Sequence, residues 1–201
     1  MRLFYSPAAC SLSPHIVFRE LGLDVKLERM DAKTHTISGG SDYYALNPKG
    51  SVPALELDDG QVLTEGAVIV QYLADLRPEA GLIPEAGTMA RYRLQEWLNF
   101  IATDIHKQLS PLFNPKVNDE AKAALKGRFL QRLGVVAKQL DSVPYLMGQA
   151  YSVADAYLFT ILRWTKRFDI DLKQFPSLEA FMARMQERPA VKAALAAEGL
   201  T

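Results

Sequence analysis

Tyr5-Ser6-Pro7-Ala8-Ala9-Cys10-Ser11-Leu12-Ser13-Pro14-His15 joins two kinds of pattern. Before it, Leu3-Phe4-Tyr5 is a short apolar run and reads as a strand. After it, Ile16, Val17, Phe18 and Leu21 recur at helical spacing. Ser11 or Ser13 predicts an N-cap, and Pro14 suits the first helical turn. Cys10, the only cysteine, therefore lies where a strand hands over to a helix. Unpaired N–H groups and the positive end of a helix dipole favour a thiolate at such a place. A dithiol redox site would carry its second cysteine where Ser13 stands, so redox chemistry at Cys10 needs an external thiol. The other reading of Cys10 is a small buried hydrophobe.

Downstream, Leu21-Gly22 predicts a helix stop, and Val25–Met30 alternates apolar and polar like a second strand. Strand, helix and strand in this order imply a parallel, right-handed crossover. Asp31–Gly50 is a long polar passage with Asp42–Leu46 as a short helical turn. A loop of that length in a compact domain is often functional. Ser51–Leu57 leads into a third strand, Asp58-Asp59-Gly60 signals a hairpin, and Val62-Leu63 is a fourth, antiparallel strand. Thr64 or Glu65 then starts a helix from Gly66 to about Leu76, apolar nearly all round and hence expected to be buried.

The breaker-rich stretch from Arg77 to Gly87 reads as a linker. Beyond it no strand pattern occurs. Met89 to about Leu109 has helical periodicity, ended by Pro111 and Pro115. Asn118 caps a helix to Leu140, and Ser152-Val153-Ala154-Asp155 fits a capping box opening an apolar helix through Trp164. Shorter helices follow at about 177–187 and 189–197. The expected domains are 1–78, with order βαβ-ββα, and 88–201, all-helical.

Lys+Arg and Asp+Glu are both 23, so no net charge draws the chain to nucleic acid or an anionic membrane. No run approaches the ~18 apolar residues of a membrane span, and the start lacks the apolar core of a signal peptide. A single cysteine excludes an internal disulfide and fits a reducing, cytoplasmic setting. His15, His35, His106 and Cys10 show no metal-ligand spacing. The glycines lack phosphate-loop spacing, and the serines lack a nucleophile elbow.

Three further places invite a functional reading. Val52-Pro53 precedes a strand. Its proline removes a ladder donor, and a cis bond there would hold Val52's backbone open to a peptide-like ligand. Glu65, at a helix start, is either a first-turn carboxylate or a partner for a ligand amine. Asn99, Thr103 and His106 share one helix face with Asp104 beside them, a solvated stripe unless His106 serves as an acid, base or thiol partner.

Together these blocks closely resemble the soluble glutathione transferases of the bacterial beta, or cysteine-type, class. The likeness runs along essentially the whole chain, through Ala9–His15, Asn47–Leu55, Leu63–Leu73, Glu96–Ile101 and Ser152–Phe159. It implies an α/β thioredoxin-like N-terminal domain, an all-α C-terminal domain and a homodimer. It implies that Val52-Pro53 is cis and that Ser152 and Asp155 cap a helix. By resemblance, Cys10 and His106 face the glutathione sulfur, and Val52's backbone pairs with the cysteinyl part. Glu65 and Gly66 hold the γ-glutamyl end, aided by Asn99 and Asp104 from the partner subunit, with Thr103 in the same region. His35 stands where the family often has Lys, near the glycine carboxylate, with Lys33 able to compensate. Gly66 replaces a serine common in other classes, so its backbone N–H must bind. Asp104 is one methylene shorter than the expected Glu.

The resemblance implies an enzyme that lowers the thiol pKa of glutathione, its co-substrate, and directs the thiolate onto a small hydrophobic electrophile. No tightly bound cofactor and no metal are expected. Other classes activate the sulfur with a tyrosine near Tyr5 or a serine near Ser11; the motif here favours Cys10. The electrophile pocket is expected near Phe113, Asn114, Pro115, Trp164, Thr165 and Phe168, by fold analogy. The alternatives are a glutathione-dependent disulfide reductase or peroxidase using Cys10, and a non-enzymatic ligand-binding relative.

Overall fold

The computed structural model describes residues 1–200. The chain divides into two compact units: Met1–Gly81 with the chain from Glu187 onward, and Leu82–Gln186. The final helix thus belongs with the first unit, whereas the sequence places residues 88–201 in one helical domain.

In the first unit β1 (Arg2–Tyr5), α1 (Leu12–Glu20) and β2 (Lys26–Arg29) are followed by β3 (Ala54–Glu56), β4 (Val62–Thr64) and α2 (Gly66–Asp75). The four strands lie in the order β2-β1-β3-β4. β1 and β2 are parallel, with Leu3 opposite Leu27. β3 is antiparallel to β1 and β4, with Leu55 opposite Leu3 and Leu63. Phe4 points to the other face and packs with Met30, Tyr43 and Ala54. The passage from Asp31 to Gly50 is therefore partly core, because Tyr43 and its neighbours Ile37 and Leu46 cover that face.

α1 ends as its sequence predicts. Gly22 takes φ +60°, its N–H bonds Arg19 O, and Leu23 N–H bonds Phe18 O, which closes the last turn. Its start differs from expectation. Ser11 is the N-cap by position but makes no side-chain cap. Its buried hydroxyl instead accepts from Ser6 N–H (3.2 Å) and donates to Ser6 O (3.3 Å). α2 is also less buried than its apolar sequence predicts. Ile69, Val70, Leu73 and Ala74 are buried, while Val68 and Leu76 are exposed.

The second unit contains α3 (Met89–Phe100), a π-helical turn over Ile101–His106, α4 (Lys107–Leu109), α5 (Asp119–Leu140), α6 (Val153–Leu162) and α7 (Pro176–Glu187). The predicted single helix from Met89 to Leu109 is thus interrupted, though Leu94, Leu98, Ile101, Ile105 and Leu109 are all buried. Asn118 caps α5 by accepting from Ala121 N–H at 2.9 Å. All residues of α6 are buried. Asp155 secures its start by accepting from Ser152 N–H and Oγ (both 2.8 Å) and from Leu146 N–H (2.9 Å). α6 stops at Leu162 and gives way to 3-10 turns over Arg163–Phe168, two residues short of the predicted end. α8 (Pro189–Ala197) closes the chain and packs on α1 in the first unit, where Arg188 grips Glu20 at 2.6 and 2.9 Å. No described helix is long and apolar enough to cross a membrane.

Candidate functional site

Cys10 stands two residues before α1, next to its N-cap Ser11, and is half-buried. The turn that carries it is tight: Ala9 N–H bonds Ser6 O, and Ala8 takes the left-handed φ of +62°. The first helical N–H groups are not open, contrary to the sequence expectation. Leu12 N–H bonds Ala9 O (3.1 Å) and Ser13 N–H bonds Cys10 O (3.2 Å). Short-range backbone bonds have satisfied donors that a thiolate would otherwise use. The Cys10 thiol itself donates to Val52 O at 3.1 Å, a bond that requires the protonated sulfur. Ser11, the rival hydroxyl, is committed to Ser6 as described.

Val52-Pro53 is cis. The backbone before it is supported from below by Ser51 O, which accepts from Tyr43 Oη (3.0 Å) and from Asn47 Nδ2 (2.7 Å). Burial pushes the Tyr43 phenol above the ordinary tyrosine range, against the hydrogen bond from Asn47, and negative charge at Cys10 adds to the rise. Tyr43 is therefore a standing donor at neutral pH. Sequence inspection assigned neither Tyr43 nor Asn47 a role, although Asn47 lies in a quoted motif.

Gly66 lies against Pro53, so a side chain there would meet the proline ring at 3.5 Å, ordinary contact distance. Glu65, just before it, takes φ +70° and does not cap α2. The first two N–H groups of α2, on Gly66 and Ala67, meet no protein acceptor among the described residues; the bonds begin with Val68 and Ile69, both to Glu65 O at 2.9 Å. The Glu65 carboxylate is turned outward and ion-paired with Lys49 Nζ at 2.7 Å. In the first unit, then, Cys10, Val52, Pro53, Gly66 and Glu65 form one contiguous group. His35 lies on the preceding passage at φ +53°. Its ring stacks on Tyr44, with centroids 4.6 Å apart, and its buried Nδ1 has no hydrogen-bond partner. Lys33 is exposed.

The second unit carries the other predicted residues. His106 Nδ1 lies 2.7 Å from Tyr157 Oη. The His106 ring meets Trp164 edge-on at 5.0 Å, Trp164 meets Phe113 at 5.0 Å, and Phe113 meets Phe168 at 4.7 Å. These four rings form a continuous edge-to-face series. Thr165 does not join it: its buried hydroxyl donates to Leu162 O at 2.7 Å. Asn114 caps a turn by accepting from Lys116 N–H, and Pro115 is exposed beside it. Thr103 donates to Asn99 O (3.0 Å) and to Asp104 Oδ2 (2.7 Å), and Asp104 Oδ1 pairs with Arg132 Nε at 3.1 Å. The π-turn changes the helical phase over Ile101–His106, so a plain 3.6-residue period does not describe this face. Tyr157 is the neighbour of His106 that sequence inspection did not single out; the signal was a tyrosine in a buried helix whose other polar residues are Asp155 and Thr160. A groove of about 670 Å³ lies elsewhere in this unit, lined by Arg93, Trp97, Phe100, Val135 and Met147 among others, and includes none of the predicted residues. Among the described residues, no group of three His, Cys, Asp or Glu could hold a metal ion.

Comparison with known proteins agrees with these two halves. Residues 8–76 match the family model described as glutathione S-transferase, N-terminal domain, and residues 100–189 match its C-terminal domain. Glutathione S-transferase GstA of Escherichia coli O157:H7 is 46% identical over the full length of both chains. The solved ternary complex of BphK, a bacterial GST, is 52% identical with a TM-score of 0.98, covering both chains completely. A bacterial beta class enzyme from Sphingomonas chungbukensis is 44% identical with a TM-score of 0.97, again over both full chains. A sphingomonad glutathione S-transferase solved in complex with glutathione gives 44% and 0.96 over both full chains. With the lone cysteine at the start of α1, the cis Val52-Pro53 bond and relatives of this similarity, the chain belongs to the glutathione S-transferase family, in its bacterial beta class.

Proposed function

We propose that the protein conjugates the glutathione thiolate to small hydrophobic electrophiles, and that the first unit is the glutathione site. The observation that carries this is the contiguous group of Cys10, Val52, cis Pro53, Gly66 and Glu65. Val52 offers N–H and C=O as an edge to which the cysteinyl amide of glutathione pairs like an added strand. The open N–H groups of Gly66 and Ala67 receive the γ-glutamyl carboxylate at the positive end of α2. Glu65 receives its ammonium. That registration sets the glutathione sulfur toward Cys10 and the start of α1, where the helix dipole favours the thiolate. His35 attends the glycine carboxylate, and Lys33 adds charge there.

In the reaction the sulfur lone pair attacks an electron-poor carbon. A C–S bond forms, and the bond to the leaving group breaks with its electron pair. With an aryl halide, halide leaves. With an epoxide, the ring oxygen keeps the pair and takes a proton. We assign proton handling to His106, held by Tyr157, and electrophile contact to the series Trp164, Phe113 and Phe168. Asn99, Thr103 and Asp104 are assigned to the γ-glutamyl end in a homodimer. Exposed Val68 and Leu76 on α2, with Met89, Tyr92 and Val135 in the second unit, support such an assembly. The single cysteine supports a reducing, cytoplasmic setting.

A second reading has its own observation: Cys10 is half-buried and bonded to the carbonyl that the cysteinyl group would use. In it the Cys10 thiolate attacks the glutathionyl sulfur of a mixed-disulfide substrate and expels the other thiolate, and a glutathione thiolate then releases oxidised glutathione and regenerates Cys10. Isothermal titration with glutathione tests both, since no binding at millimolar concentration overturns each. An aryl-halide conjugation assay beside a mixed-disulfide assay then ranks them.

A further inference from the structure

Resting on the glutathione site proposed above, we infer that Lys49 is a specificity-determining residue that recognises the α-carboxylate of the γ-glutamyl head. Together with Glu65 it forms an ion pair complementary to an α-amino-acid zwitterion.

Four observations lead there. Lys49 Nζ sits 2.7 Å from Glu65 Oε1 and 2.9 Å from Thr64 Oγ1, so the cation is held at the start of α2. Gly66 and Ala67 N–H, beside it, meet no protein acceptor among the described residues. Helix starts with open donors attract anions, and a lysine at the same spot concentrates that preference. Third, Lys49 is presented by a fixed turn. Its own N–H bonds Asn47 Oδ1 (3.1 Å), and Gly50 N–H bonds Asn47 O (2.8 Å). Gly50 has φ +66°, and a Cβ there would run into the Tyr44 ring, so the turn favours glycine. Fourth, both members of the pair are more than half exposed. Such a pair contributes little stability, which leaves Lys49 able to exchange partners.

The chemistry of the ligand supplies the match. The γ-glutamyl head carries an ammonium and a carboxylate on one carbon. Glu65 meets the ammonium and gives up part of its hold on Lys49. Lys49 meets the carboxylate from the side opposite Gly66 and Ala67. A ligand with only one of the two charges leaves one member of the Lys49–Glu65 pair without its counterpart.

Two glutathione analogues separate this role from a structural one. γ-Aminobutyryl-cysteinylglycine keeps the amine and lacks the carboxylate. Glutaryl-cysteinylglycine keeps the carboxylate and lacks the amine. Dissociation constants of all three ligands are measured by titration calorimetry for the wild-type chain, Lys49→Met and Lys49→Arg, with circular dichroism to verify folding. Lys49→Met is expected to weaken glutathione and glutaryl-cysteinylglycine by about tenfold and γ-aminobutyryl-cysteinylglycine by less than about twofold. Lys49→Arg is expected to restore most of the loss. If Lys49 only holds Glu65 in place, the aminobutyryl ligand is weakened instead, and the inference is overturned. Equal affinities in wild type and Lys49→Met for all three ligands overturn it as well. Failure of the wild-type chain to bind glutathione overturns the proposed site and this inference with it, whereas normal wild-type binding with an indifferent variant overturns the inference alone.

Discussion

His15 Nδ1 and Glu198 Oε1 lie 2.9 Å apart with both side chains wholly buried, and this pair ties the end of α8 to the turn that carries Cys10. Glu198 Oε2 also accepts from Ala8 N–H at 3.1 Å. Arg19 Nε donates to His15 Nε2 at 3.4 Å, which assigns the ring proton to Nδ1. Glu198→Ala removes the acceptor of a buried ring N–H and one acceptor of the Ala8 backbone N–H. Losses of this kind cost about 3 kcal/mol, and the urea midpoint is expected to fall accordingly. Glu198→Gln keeps one acceptor and is expected to lose about half as much. Because Ala8 is close to Cys10 in the chain, Glu198→Ala is also expected to alter the rate at which iodoacetamide alkylates Cys10, in conditions where the variant stays folded.

The tether on His106 is the second relationship that mutation can reach. Tyr157 is 4% exposed, and its hydroxyl meets His106 Nδ1 at 2.7 Å. Tyr157→Phe preserves the ring contacts with His106 and removes that bond. If His106 handles the proton, kcat for aryl-halide conjugation is expected to fall by about tenfold, equivalent to about 1.4 kcal/mol, with the KM for glutathione unchanged. The pH–rate profile is expected to move, because the imidazole loses a neighbour that fixes its tautomer. An unchanged profile with lower thermal stability would make Tyr157 a packing residue only.

What was legible in the sequence was local. Asn118, Leu21-Gly22, Asp58-Asp59-Gly60 and Ser152–Asp155 each carry their structural instruction within a few residues, and the structure follows them. The group of Cys10, Val52, Pro53, Glu65 and Gly66 was legible because each part sits at an element boundary with its own signal. The long-range pairs were not. His15 and Glu198 are separated by 183 positions, and His106 and Tyr157 by 51. No periodicity links such residues, since their contact is created by packing. The same limit explains Val68 and Leu76 on α2: an apolar sequence does not tell which face the rest of the chain covers. It explains Ser11 too, because a cap depends on where the neighbouring turn leaves Ser6.

Acid titration offers a third test, at Glu28. The Ser38 hydroxyl first, then Ser38 N–H (3.2 Å), with Lys26 and Arg2 adding charge, hold this carboxyl below the ordinary glutamate range despite opposition from burial. The folded state therefore prefers the ionised form more than the unfolded chain does. The stabilisation is full above the unfolded pKa and disappears as pH falls through the folded one. Urea midpoints of wild type and Glu28→Gln are expected to differ most near neutrality, to begin converging as pH falls below the ordinary glutamate range, about 4.3, and to meet only once pH is below the folded-state pKa. Parallel curves across the acid range would assign the acid sensitivity to other carboxylates.

Cys10 is the group whose duty a single substitution resolves. An activator of the glutathione sulfur must offer hydrogen bonds or positive potential to a thiolate. Yet the N–H groups of Leu12 and Ser13 are bonded to Ala9 O and Cys10 O, and the Cys10 thiol donates to Val52 O at 3.1 Å. If the cysteinyl amide of glutathione takes that carbonyl, as proposed, Cys10 is released beside the incoming sulfur, positioned for exchange. A disulfide substrate is then cleaved by attack of the Cys10 thiolate, which forms a mixed disulfide and expels one thiolate; a glutathione thiolate resolves it by attack on the substrate sulfur, regenerating Cys10. Conjugation needs no such bond. Cys10→Ala is therefore expected to abolish mixed-disulfide reduction while conjugation of an aryl halide falls by less than about tenfold, the range attributable to losing one weak thiol hydrogen bond. Comparison of the two activities on one preparation decides it: a collapse of conjugation by about a thousandfold with unchanged KM would make Cys10 the sulfur activator after all.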